Sequence, residues 1–153
     1  MKTYKMRKAF TMIEFIFIIV IIALLVGIAI PKFAATRMDA KLSTKAQNIM
    51  TAANEIAAYA VAKGETVPDF NVMSRSIKSM VTRGEATLEE YKAKIKVEDT
   101  SDCIIIKIDD NGSNIEVLKI EFGNTTNEYC EQLQSLINAN AFPIPLHGIF
   151  VSY

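Results

Sequence analysis

An α+β fold is predicted, with one long N-terminal helix laid against a small antiparallel sheet, and three observations predict it. From Phe15 to Ile30 there is no polar side chain. From Met38 to Ala60 apolar residues return at steps of three and four, the spacing of one helix face. Beyond Cys103 two apolar-rich runs flank an Asn-Gly pair, the signature of a β-hairpin. With half of its 153 residues hydrophobic, the chain suffices for one small domain plus the apolar segment, not for two independent cores.

The first element is a basic leader, residues 1–9, carrying Lys2, Lys5, Arg7 and Lys8 and no acid. The apolar block follows from Phe10, and Glu14 sits four places into it. An ionised carboxylate in hydrocarbon or in a subunit core is costly unless something positive meets it. Cleavage between Ala9 and Phe10 would create that partner, an α-amino group on Phe10. Within one helix the amine and Glu14 are about one turn apart. Between axially offset copies, the amine of one reaches Glu14 of the next, and the cost of leaving either charge unpaired sets the register of assembly.

Lys8-Ala9-Phe10-Thr11-Met12-Ile13-Glu14, the apolar run and Pro31 together resemble the N-terminal signal of type IV prepilins and type II secretion pseudopilins. The resemblance covers roughly residues 7 to 33. It implies cleavage before Phe10 and N-methylation of Phe10 by a membrane-embedded prepilin peptidase, recruitment through Glu14, and a homo-oligomeric helical filament built by an inner-membrane assembly platform. It also implies a pilin-like architecture with a disulfide-bounded C-terminal region. The family usually has Gly before the cut, and here Ala9 stands there.

The same segment has two other readings. A secretory signal would place a small-residue cleavage site after its apolar stretch, and only Ala34-Ala35-Thr36 offers one. A plain anchor accounts for the 21 residues from Phe10 to Ile30, about 30 Å of helix, but does not need Glu14. In either membrane reading the basic leader keeps the N-terminus in the cytoplasm, which puts the bulk of the chain in the periplasm or on a surface filament.

Residues 10–31 are therefore predicted as a transmembrane or filament-core helix and 32–64 as its amphipathic continuation. Met38, Leu42, Ala46, Ile49, Ala53, Ile56 and Ala60 form the stripe, and Gly64 stops the helix. Gly27 and Pro31 mark a kink or a locally melted turn, and both readings predict weak helix between Gly27 and Phe33. At its full length the helix exceeds what a domain of this size can cover, so about half of it has to project.

Residues 65–153 form the C-terminal globular part. Pro68 opens a connection, Met73 to Val81 has a short helical pattern, and Thr87 with Glu90 predicts a capping box for a helix through Tyr91 and Ile95. The hairpin occupies residues 103–122, with strands Cys103–Ile108 and Ile115–Phe122 and a turn at Asn111-Gly112. Gly123 to Glu128 is a loop, Cys130 to Ala139 a helix with Leu133, Leu136 and Ile137 inward, and Ile149 to Tyr153 a last strand.

The formal charge is zero, and losing the leader's four cations leaves 13 basic against 17 acidic residues, a net charge of −4. That argues against a dedicated nucleic-acid binder, which shows a clustered basic face. Cys103 and Cys130, in an oxidising compartment, are expected to form a disulfide, the alternative being two buried free thiols. Two cysteines and the single His147 fall short of a structural zinc site, so no metal or other cofactor is expected. Nothing at Cys103, Cys130 or His147 has the spacing of a nucleophile with its base, Asp109 to Gly112 reads as a turn and not a calcium loop, and no phosphate-binding Gly-rich loop occurs. The chain reads as a structural subunit and not an enzyme. The alternatives are a pseudopilin of a secretion or DNA-uptake system, or a membrane-tethered binding module.

Overall fold

A computed structural model describes residues 11–98, 100–110, 115–124 and 126–146. The leader with Ala9 and Phe10, the hairpin turn at 111–114, His147 and the expected strand at 149–153 lie outside the described residues. The fold is α+β: a long N-terminal helix, further short helices, and a five-stranded antiparallel sheet. The chain divides into two compact units, Met1–Ala40 and Lys41–Tyr153.

Helix α1 spans Met12–Lys63, 52 residues. It ends where expected: Gly64 takes φ +73° and its N–H donates to the Ala60 carbonyl at 2.8 Å. Residues 27–33, where the sequence predicts weak helix, are assigned as helix throughout. Proline's fixed φ is close to the helical value, so a proline costs a helix one backbone hydrogen bond without having to end it.

The second unit takes its core from the later part of α1. Leu42, Ala46, Ile49, Ala53, Ile56 and Ala60 are all buried, with Ala52 beside them. Helices α2 (Phe70–Met73) and α3 (Arg75–Thr82) add Phe70, Met73, Ile77 and Met80. Helix α3 occupies the region expected to be helical, Met73 to Val81, whereas α2 precedes it.

The sheet is a meander in the order β1-β2-β3-β4-β5: Ala86–Glu89, Lys92–Val97, Thr100–Asp110, Glu116–Phe122 and Ile144–Pro145. The expected hairpin is β3 with β4, in register Ile106↔Ile120 and Ile108↔Leu118. The helix expected from Thr87 is instead the hairpin of β1 and β2. Ala93, Ile95 and Val97 are buried at every second position, so the period is two, and Glu90 and Tyr91 link the strands with Tyr91 at φ 55°. Inward rows such as Ala93↔Ile106 and Ile95↔Ile104 complete the core.

The opposite face of the sheet is ionic. Lys92, Lys107 and Lys119 stand side by side across β2, β3 and β4, an arrangement that repels unless acids intervene. They do: Lys107 meets Glu121 at 2.8 Å, Lys119 meets Asp109 at 3.0 Å, and Lys94 meets Glu89 at 2.7 Å. The Lys119 and Lys107 ammoniums hold the Asp109 carboxyl below its ordinary range, while the Glu121 carboxylate holds Lys107 above its own.

Helix α4 (Glu128–Ser135) is capped by Asn127, whose Oδ1 accepts from the N–H groups of Tyr129 and Cys130. It is shorter than the helix expected to Ala139. Leu133 and Ile137 are buried as expected, but Leu136 is half exposed because it follows the last helical turn and leaves the inward face. A disulfide joins Cys103 of β3 to Cys130 of α4, with Cα atoms 5.7 Å apart. Gln134 Nε2 donates to the carbonyls of Cys103 and Gly123, both at 3.0 Å. Gly123 has no room for a side chain, since a Cβ there would lie 1.5 Å from the Asp102 carbonyl oxygen.

Candidate functional site: the apolar N-terminal helix

Thr11 and Glu14 define the start of α1. Thr11 donates from both its N–H and its hydroxyl to Glu14 Oε2, each at 2.9 Å, and the Glu14 N–H lies 3.4 Å from Thr11 Oγ1. This is a reciprocal capping box, which satisfies donors that a helix N-terminus leaves without intrahelical partners. The Thr-x-x-Glu spacing is visible in the sequence, yet Thr11 was not among the residues expected to matter. Glu14 thus has partners inside its own chain. Of its proposed site companions, Ala9 and Phe10 lie outside the described residues, and Gly27 and Pro31 lie within the unbroken helix.

Met12–Ile30 is a 19-residue stretch long and apolar enough to cross a membrane, and none of it is buried. At about 1.5 Å per residue it measures about 28 Å, close to the hydrocarbon thickness of a bilayer. The side chains are open all around the helix: Phe15 is 59% exposed, Phe17 65% and Leu24 68%. Soluble monomers rarely expose an apolar surface this continuous. By length and composition it is either a membrane anchor or a signal sequence.

At the cysteines and at the acidic recess beside the sheet the chemistry is already committed. Cys103 and Cys130 are bonded to each other, so neither offers a thiolate nucleophile or metal ligand. The recess lined by Tyr91, Ile108, Asp109, Asp110 and Glu116 is acidic, but Asp109 is paired with Lys107 and Lys119 and Glu116 accepts from Thr66 Oγ1 at 2.7 Å. Among the described residues no group of His, Cys, Asp and Glu is arranged to hold a metal ion.

One buried-side carboxylate escaped the sequence reading. Glu55 of α1 accepts from the Ser74 hydroxyl at 2.6 Å and the Ser76 N–H at 2.9 Å. Burial pushes its carboxyl upward, but hydrogen bonds from Ser74, Ser76 and the Arg75 backbone outweigh that and hold it below the ordinary carboxylate range. It fastens the N-terminus of α3 to α1.

Comparison with protein-family models, with curated proteins and with solved structures found no match to this chain.

Proposed function

We propose that this chain is the structural subunit of a type IV pilus-like filament: inserted in the inner membrane, cut before Phe10, methylated there, and polymerised through its N-terminal helix. The observation that carries the reading is an exposed apolar helix with a single carboxylate, Glu14, near one end. Packing such helices together in a filament removes the surface from water or lipid, at about 25 cal/mol per Å² where water is displaced. The carboxylate, with the amine of a neighbouring Phe10, fixes the axial offset. The basic leader and the resemblance of residues 7 to 33 to prepilin signals support the same reading. A pseudopilin of a secretion or DNA-uptake system shares this logic.

A membrane-tethered domain is the second reading, and the Thr11–Glu14 capping box favours it, because capping alone gives Glu14 a purpose. Glu14→Gln separates the two. The amide oxygen retains the cap, but the charge is gone. For a filament subunit, Glu14→Gln leaves the mature chain folded and abolishes incorporation into filaments. Undiminished filament yield from Glu14→Gln would sink the register role. Mass spectrometry of the mature chain supplies the independent check, with methyl-Phe10 expected for a subunit and Met1 retained for a tether.

A further inference from the structure

We infer that the groove between α1 and α3 is a binding site for a small oxyanion of the phosphate class. The recess has a volume of about 190 Å³ and is lined by Asn48 of α1 with Arg75, Ser76, Ser79 and Arg83. The last four recur along one side of α3 and its C-cap, away from the buried Ile77 and Met80. Its wall therefore offers two guanidiniums, the Ser79 hydroxyl and one carboxamide, with no carboxylate among the described lining residues, while the Ser76 hydroxyl is engaged by Glu55. That donor set suits a ligand made of acceptors only. A cation would find little to bind.

The wall is also partly preorganised. Arg83 is held by Glu85 through Nε and Nη2, at 2.9 and 2.8 Å, and by Ser79 through Nη1. Three of its five N–H groups are used, which leaves two. Ser79 accepts from Arg83, so its own O–H remains to donate. Glu85 offsets the Arg83 charge, whereas no carboxylate among the described residues pairs with the Arg75 guanidinium, so Arg75 supplies the attraction. Planar guanidinium donors match oxyanions in a two-bond fork that an ammonium cannot reproduce. The helix end itself plays no part, because Glu55 already takes the Ser76 N–H. At about 30 Å³ per water molecule, the groove holds a tetrahedral anion with some of its hydration shell, which implies weak, millimolar binding.

The site is independent of the filament reading. The test titrates inorganic phosphate, at matched ionic strength against chloride, into the isotopically labelled full chain in detergent micelles and follows amide shifts. Saturable shifts at Asn48, Ser76, Ser79 and Arg83 are expected, with Kd about 1 mM. Arg75→Gln should weaken binding about tenfold, Arg75→Lys less, and Lys119→Gln on the sheet's ionic face not at all. Unchanged thermal unfolding of Arg75→Gln confirms that the fold survives. Vesicles of phosphatidylglycerol distinguish the source: displacement of phosphate by them in an Arg75-dependent way assigns a lipid headgroup, and no displacement assigns a soluble phosphate. Absence of saturable shifts, or equal affinity in Arg75→Gln, overturns the inference.

Discussion

Residues 12–30 and 42–60 belong to one helix, are both rich in apolar side chains, and meet opposite fates. In the first stretch Phe17 is 65% exposed and Leu24 68%, whereas in the second Ile49 and Ile56 are fully buried. Hydrophobicity alone does not separate them. The first stretch is apolar around its whole circumference, and a single small domain cannot cover a helix from every side. The second is apolar along one stripe, with Lys45, Asn48 and Glu55 beside it, and a stripe is what a sheet face and two short helices can close. The comparison teaches that angular distribution decides whether a helix is finished by its own chain or left for a membrane or other subunits.

Deleting the same atoms on each side tests this most strongly. Ile56→Ala should lower the stability of the second unit by about 3 to 4 kcal/mol, through lost burial and an unfilled cavity. Ile19→Ala, at a residue 49% exposed, should change denaturant unfolding of that unit in micelles by less than about 0.5 kcal/mol. A loss above about 1 kcal/mol from Ile19→Ala would break the comparison.

Next in size is the disulfide, which acts on the second region alone. The two cysteines are 27 residues apart in sequence, and the double change Cys103→Ser, Cys130→Ser should cost about 3.5 kcal/mol in the chain-entropy account. Circular dichroism should show the helical content of residues 12–30 retained while the unfolding midpoint of the domain drops. If both fell together, the two regions would not be separate cooperative units.

Where the sequence was legible, one residue period and one nearby stop signal were enough. The stripe from Leu42 to Ala60, the stop at Gly64 and the pairing of β3 with β4 each depend on contacts or conformations that nearby residues prescribe. Residues 86–97 were misread because Thr87 and Glu90 fit a capping box, while the decisive alternation Ala93, Ile95, Val97 is only three positions long. Glu14 stood out as a lone carboxylate in an apolar run, and its local partner Thr11 was overlooked since a charge in that setting suggests a charged partner. Gly123 and Glu55 were not legible, because what matters at each comes from far along the chain: the Asp102 carbonyl for one, Ser74 and Ser76 for the other.

Glu55 offers a smaller and pH-dependent test of how the striped half of α1 is finished. Glu55→Ala removes two hydrogen bonds and the anion at the start of α3, for a loss of about 2 kcal/mol near neutral pH. Its folded pKa is lowered, so its contribution is present above the ordinary carboxylate pKa and disappears as pH falls through the folded value. Stability curves of wild type and Glu55→Ala should therefore converge in acid. Parallel curves would mean that the side chain acts by packing and not by charge.

The weakest expected effect lies on the ionic face of the sheet. Glu89 is drawn below its ordinary pKa by the hydrogen bond from Lys94, and Lys94 is raised by the same contact, but both groups are open to water. Solvent and salt screen such pairs, and ordering two long side chains offsets much of what the attraction contributes. Lys94→Gln should lower the unfolding midpoint less than Glu55→Ala does, and the difference from wild type should vanish in about 1 M salt, where charges are screened within about 3 Å. A loss that survives in high salt would show the Lys94 stem packing on the sheet, which would make this face part of the domain's apolar support and blur the contrast with the uncovered helix.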